Sequence, residues 1–206
     1  AAFAGMQPRL IRGAPRATLD TFRASVRAPS RYLPRASLLC LENTHNAGGG
    51  SVWPLDQIQE VTAAARKLGL TRHLDGARLW NASAATGIPE REYARHFDSI
   101  SVCFSKGLGA PIGSALCGSR DFVARARRFK QQIGGGFRQG GIIAAGALYA
   151  LRHHRARLTE DHAMAKALAK GICRLPGIEL DPNAVETNIV RFTVTSMPAG
   201  EFVDRL

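Results

Sequence analysis

The stretch SVCFSKGLGAPIGSALCGS, from Ser101 to Ser119, carries a lysine in an unusual setting. An apolar run from Ile100 to Phe104 ends abruptly, and Lys106 follows it on a turn rich in glycine. The chain has 28 Lys and Arg residues but few lysines, so most positions that need a positive charge carry Arg. Lys can lose its proton and act as a nucleophile or form a Schiff base, whereas Arg stays protonated. The pattern therefore favours a chemical role for Lys106 over that of an ordinary surface residue.

Apolar runs and helical periodicity alternate along the chain. Strands are predicted at 37–43, 71–78, 97–104, 114–119 and 188–194. Helices are predicted at 18–27, 54–68, 79–86, 122–132, 142–153 and 158–175. This alternation predicts an α/β fold with a mostly parallel sheet and flanking helices. The late strand after a helix-rich stretch suggests two parts: residues 1–155 belong to a large domain, and residues 156–206 begin a small α+β C-terminal domain.

Three of the predicted strands end in polar residues, at Glu42, at Asp75 and at Lys106. Ligands of open parallel sheets bind at the carboxyl ends of the strands, so these residues are expected to share one pocket. Asp75 is followed by Lys106 after one predicted helix and one predicted strand. A carboxylate and a lysine in this arrangement suit the cofactor pyridoxal 5'-phosphate. The lysine holds this cofactor as an imine, and the carboxylate keeps the ring nitrogen protonated. The alternative for Asp75 is an N-cap, which is the commoner use of a lone Asp; with Lys106 and Arg78 nearby, the cofactor role is favoured.

The composition narrows the classes of protein. Hydrophobic residues make up 45% and charged residues 21% of the 206, as in a globular protein, and no apolar run is long enough to span a bilayer. The net charge is +12, but the Arg residues are scattered, which suits anionic small molecules better than nucleic acid. A basic nucleic-acid-binding or structural fragment is the alternative from another class. The four cysteines lack C-x-x-C spacing, which indicates no metal site and a reducing, cytoplasmic compartment.

Four motifs resemble those of low-specificity L-threonine aldolases: LENTHN (41–46), HLDGARLWNA (73–82), SVCFSKGLGAPIGS (101–114) and GGGFRQGGIIAAGALYAL (134–151). These are pyridoxal-phosphate enzymes of the aspartate-aminotransferase-like fold. The resemblance implies cleavage of L-threonine or L-allo-threonine to glycine and acetaldehyde, by a homodimer or homotetramer with shared sites. It implies that residues 1–155 bind the cofactor.

The resemblance also implies individual roles. Lys106 forms the imine, Asp75 contacts the pyridine nitrogen, and Arg78 lies at the cofactor and substrate end of the same turn. Arg138 is expected to bind the cofactor phosphate at a subunit contact, as its planar guanidinium allows. Tyr32 stands where the family usually has a histidine that recognises the substrate hydroxyl, so it is a candidate substrate-binding residue.

Other features depart from the family pattern. Gln131 replaces a lysine before the triple glycine, and His45 is interpreted as a residue that orders its loop. The start, AAFAGMQPRL, resembles the middle of a protein, so we expect an internal piece of a longer chain that is a poor aldolase alone. The alternatives are another β-acting pyridoxal-phosphate lyase, an aminotransferase, or an inactive truncated fragment.

Overall fold

The computed structural model describes residues 4–11 and 16–205. Its α-helices in these ranges are α1 (Leu19–Ser25), α2 (Leu55–Lys67), α3 (Leu79–Thr86), α4 (Glu90–Ala94), α5 (Arg120–Gln132), α6 (Gly140–His153), α7 (Leu158–Ile172) and α8 (Ala199–Asp204). Its strands are β1 (Leu38–Glu42), β2 (Thr71–Gly76), β3 (Ser99–Cys103), β4 (Ser114–Gly118), β5 (Ile178–Glu179) and β6 (Thr193–Val194). No helix in these ranges has the length and apolarity that crossing a membrane requires.

The main sheet has the order β1-β2-β3-β4. The first three strands are parallel, and β4 returns antiparallel beside β3. The predicted α/β fold with a mostly parallel sheet is therefore confirmed. Because β1, β2 and β3 run in the same direction, their carboxyl ends lie at one edge of the sheet, where ligands of such sheets bind.

The two faces of this sheet differ in polarity. Alternate residues of a strand point to opposite faces, so register neighbours share a face. On one face lie buried apolar side chains that form the core with α1, α2 and α3: Leu39, Leu41, Leu74, Ile100 and Val102. The other face carries Glu42, Asp75 and Ser101, which are neighbours in register. The polar side chains of Glu42, Asp75 and Ser101 therefore lie on the face of the sheet opposite the apolar core.

Helix α2 shows how the local sequence sets an element. Pro54 precedes its first residue, and Gly69, with φ of 71°, follows its last turn. Pro is pre-organised for a helix start, and glycine adopts the left-handed conformation that ends one. Ile58, Val61 and Ala65 form the buried stripe that packs into the core. The helix predicted at 54–68 is confirmed.

The strand predicted at 188–194 is largely wrong. Only Thr193–Val194 are in a strand, paired antiparallel with Ile178–Glu179. The preceding segment runs along the loop after β1 instead: the Thr187 hydroxyl donates to the Gly50 carbonyl at 2.6 Å, and the Val52 amide donates to Glu186 at 2.9 Å. Within the predicted strand, the Arg191 guanidinium donates to the Ala47 carbonyl of the same loop, a long-range contact that the alternation of NIVRFTV alone does not reveal. The short helices α4 and α8 were not predicted, and the division at residue 156 stays a prediction.

Candidate functional site

Asp75 occupies the central position at the carboxyl edge of the sheet. It lies in register between Glu42 of β1 and Ser101 of β3. Its Oδ1 accepts a hydrogen bond from the Ala77 amide at 3.1 Å, which shapes the turn after β2. Helix α3 has Arg78 as its N-cap residue and no side-chain cap. The alternative in which Asp75 caps this helix is therefore wrong.

The carboxylate of Asp75 contributes to the electrostatics of this edge, after the larger effect of burial. Burial raises the pKa of the Cys40 thiol, and the negative charges of Asp75 and Glu42 raise it further. Burial lowers the pKa of His73, whose Nδ1 lies 2.8 Å from Ser99 Oγ, while the charge of Asp75 opposes that shift. Among the described residues no Lys or Arg lies within ion-pair distance of Asp75. The edge thus carries a carboxylate that suits a cationic partner.

The Lys106 turn has a fixed backbone and an exposed side chain. The Phe104 amide donates to the Gly113 carbonyl at 3.0 Å, and the Ala110 amide donates to the Phe104 carbonyl at 3.0 Å. Leu108 is fully buried and anchors the turn in a small apolar cluster. Lys106 itself is exposed, and no ion pair in the described part of the chain occupies its amine. A rigid turn therefore presents a lysine beyond the end of β3.

Arg78 is the third predicted residue that follows a strand end at this edge of the sheet. It follows β2 on the same turn as Asp75 and is partly buried. Its Nε is buried and has no hydrogen-bond partner within the described ranges. Buried donors in folded proteins are nearly always paired, so an unpartnered guanidinium nitrogen beside a strand end indicates a position that suits an anionic or hydrogen-bond-accepting ligand.

The other two predicted residues do not join this cluster. Tyr32 is 76% exposed, and its side chain contacts Arg31, whose guanidinium lies 4.5 Å from the ring centroid and donates to the hydroxyl. Arg138 is exposed in the turn between α5 and α6. Neither side chain bonds to Asp75 or Lys106 in the part of the chain that the structure describes.

His45 lies in the loop that follows β1. Its backbone pairs with Ser51, with the His45 amide donating to the Ser51 carbonyl at 2.9 Å, and its Nε2 lies 3.9 Å from Glu42 Oε2. These contacts close the loop, in line with the ordering role predicted for His45.

Sequence reasoning missed a buried polar pair next to the Lys106 turn. Asn81, in the first turn of α3, is fully buried, and its Nδ2 lies 3.1 Å from Nε2 of His162 in α7. The available signal was a polar residue inside the apolar stretch LWNASAA. Its partner is far away in the sequence and was not predictable from spacing.

The fold and this strand-end arrangement define a protein of the aspartate-aminotransferase-like fold found in pyridoxal-phosphate-dependent enzymes. A solved structure described as a putative L-allo-threonine aldolase from Listeria monocytogenes matches with a TM-score of 0.76 and 26% identity, over 90% of this chain and 50% of that one. The chain belongs to the beta-eliminating lyase family, whose model matches residues 1–195.

Curated relatives agree with this assignment. A probable low-specificity L-threonine aldolase 2 of Arabidopsis thaliana is 40% identical over 198 residues, which cover 94% of this chain and 56% of that protein. A low specificity L-threonine aldolase of Escherichia coli is 41% identical over 172 residues, covering 82% of this chain and 51% of that protein. The chain thus spans about half the length of the curated relatives it matches.

Proposed function

We propose that this chain belongs to a pyridoxal-phosphate-dependent aldolase that cleaves L-threonine and L-allo-threonine to glycine and acetaldehyde. The observation that carries the proposal is the parallel pairing of β2 with β3, because it sets Asp75 at the same sheet edge from which the Lys106 turn leaves. The 40% identity to proteins named low-specificity L-threonine aldolases supports the choice of substrate and of the bond that is cleaved.

The residues present fit the proposed cofactor. Asp75 offers a carboxylate that no cation in the described ranges neutralises, Lys106 offers an exposed amine, and Arg78 offers an unpartnered buried nitrogen. In the proposed site Lys106 would hold the cofactor covalently, Asp75 would bind the protonated ring nitrogen, and Arg78 would bind an anionic group of the cofactor or substrate. Arg138 would bind the phosphate from a neighbouring subunit, and Tyr32 would hydrogen-bond the substrate hydroxyl.

Each residue then has a physical task. When bound, pyridoxal phosphate supplies an electron sink for the pair released as the Cα–Cβ bond breaks. Asp75 would accept a hydrogen bond from the protonated ring nitrogen and would keep the proton there, because an opposite charge nearby favours the charged form of the nitrogen. Arg78 orients anionic oxygens through its planar, two-pronged geometry. The hydrogen-bonded backbone around Lys106 fixes the point from which its side chain leaves, which would limit the positions open to its amine and lower the entropic barrier to reaction.

Borohydride trapping tests the proposal. The chain is incubated with pyridoxal phosphate, reduced with borohydride and digested, and the modified lysine is identified by mass spectrometry. We expect the label on Lys106 and none in Lys106→Arg, since a guanidinium does not form the imine. Lys67 and Lys130 serve as internal controls, and a label on either in place of Lys106 would contradict the assignment.

Product analysis separates the aldolase from its alternatives. Glycine and acetaldehyde from L-threonine support the aldolase, whereas a keto acid indicates a β-eliminating lyase or an aminotransferase. The assay uses L-threonine and L-allo-threonine in parallel, because the proposal includes both.

The oligomeric state and compartment complete the proposal. We propose a homodimer or homotetramer in the cytoplasm. The exposed position of Arg138, away from the Asp75 edge in the described contacts, supports a role at a site of a neighbouring subunit. Light scattering of the purified protein tests the oligomer, and a monomer that still binds the cofactor would refute the shared site.

A further inference from the structure

The backbone next to Lys106 makes unusually close contacts with two helices. A Cβ placed on Gly107 would lie 2.9 Å from Asn81 Oδ1 and 3.1 Å from Leu158 Cδ2. Asn81 belongs to α3, and Leu158 is the first residue of α7. The Lys106 turn therefore rests directly on the place where α3 and α7 meet, and residue 107 has room only for glycine.

Asn81 is the polar residue in this otherwise apolar contact. It is fully buried, and its Nδ2 donates to Nε2 of His162 at 3.1 Å. Its Oδ1 has no hydrogen-bond partner among the described residues and lies against Gly107. Burying an amide costs free energy unless its polar atoms are hydrogen-bonded, and here only the amino group is, so an aliphatic side chain of similar size would fill the same space at lower cost.

His162 fixes the orientation of this amide from the other helix. It is 7% exposed on the face of α7 that packs on α3. Burial lowers the pKa of His162, against the charge of Asp161 and together with that of Lys166, so the ring is neutral near pH 7. The amino group of Asn81 can only donate, so Nε2 of the neutral ring is the acceptor, and the carbonyl oxygen of Asn81 faces Gly107.

Resting on the proposed role of Lys106, we propose that Asn81 and His162 form a positioning pair that orients the Lys106 turn and ties it to α7. Neither residue needs to touch the cofactor or substrate. A shift of α7 relative to α3 would change where the lysine is presented, because the same amide contacts both His162 and the turn. The pair thus makes the reactivity of Lys106 depend on the packing of α7.

Hydrogen exchange tests the pair without any cofactor. Amide exchange is followed by mass spectrometry in the full chain for a peptide covering 104–110 and for a reference peptide covering 55–67. We expect Asn81→Leu and His162→Phe each to speed exchange of 104–110 by roughly three- to tenfold, the effect of losing one buried hydrogen bond. The reference peptide should not change.

Three further variants make the test specific. The double variant should lose no more protection than either single variant, because both remove the same contact. His162→Gln should restore protection, since its amide oxygen can accept from Asn81. Thr62→Val is the matched control: Thr62 is buried in α2 and its hydroxyl donates to the Ile58 carbonyl at 2.7 Å, so its loss should affect 55–67 and leave 104–110 unchanged.

The cofactor readout is the rate of borohydride-trapped labelling of Lys106. It should fall in Asn81→Leu and His162→Phe and recover in His162→Gln.

Three results would each overturn the proposed pair. The first is unchanged exchange at 104–110 in both single variants, and the second is additive effects in the double variant. The third is failure of His162→Gln to restore protection. Absence of labelling in the unsubstituted chain would instead count against the proposed function, and the exchange result would still decide the pair. If Asn81→Leu does not fold, the comparison of His162→Phe with His162→Gln decides it.

Discussion

The substitution Gly76→Ala tests how closely the strands pack at the candidate site. Gly76 is the last residue of β2, directly after Asp75. A Cβ at this position would lie 2.8 Å from the Ser101 carbonyl oxygen, 3.2 Å from Leu79 Cβ and 3.3 Å from Ile100 Cγ2. The two side chains can yield by a few tenths of an ångström, but the carbonyl belongs to the neighbouring strand and moves only with it.

The expected loss of stability follows from these contacts. Overpacking a well-packed site costs about 1–3 kcal/mol. Replacing glycine by alanine also restricts the unfolded chain, which offsets about 0.4–1 kcal/mol. The midpoints of these two ranges differ by about 1.3 kcal/mol, so we expect the free energy of unfolding of Gly76→Ala to fall by about that amount. This lowers the melting temperature by about 2–4 °C per kcal/mol in a chain of this size.

Gly171→Ala is the matched control for this prediction. A Cβ on Gly171, inside α7, would meet no atom within 4 Å. The same substitution should here raise the free energy of unfolding by up to about 1 kcal/mol. Urea unfolding followed by circular dichroism measures both variants. A Gly76→Ala protein as stable as the parent would refute the steric argument, and a destabilised Gly171→Ala protein would undermine the comparison.

Further predictions concern charged and titratable groups. In Asp98→Asn the buried guanidinium of Arg72 loses its anionic partner, so urea unfolding should show a loss of about 1–2 kcal/mol after allowance for the partial exposure of Asp98; an unchanged value would mean that solvent already screens the pair. Asp75→Asn should keep trapped cofactor but lower turnover of the holoenzyme by about ten- to a hundredfold, and unaltered turnover would deny Asp75 its role. Burial lowers the pKa of three histidines from 6.5, namely His73, His96 and His162. The unfolded state therefore binds more protons below about pH 6.5, so the free energy of unfolding should be level above that pH and fall on acidification; urea titrations at several pH values that show a rise instead would contradict these shifts.

The sequence determined the elements of the site because their signals are local. Apolar runs that stop at Asp75 and before Lys106 mark strand ends, and Pro54 with Gly69 marks the limits of a helix. The scarcity of lysine singles out Lys106 and is a property of the composition alone. The strand and helix signals depend on neighbours within a few residues, so the alternating α/β pattern and the strand-end positions of Asp75 and Lys106 were predictable, whereas their roles stay a prediction.

Only the tertiary structure decided how these elements meet. The register that sets Asp75 opposite Ser101 depends on pairing between distant strands. Glu186 and Thr187, just before the predicted strand, and Arg191 within it have hydrogen-bond partners in the loop after β1, which the alternation of 188–194 does not encode. Asn81 and His162 are separated by 81 positions. A hydrogen bond over that distance leaves no local periodicity, because it forms only when the packing of α3 against α7 buries both side chains and leaves each as the other's partner.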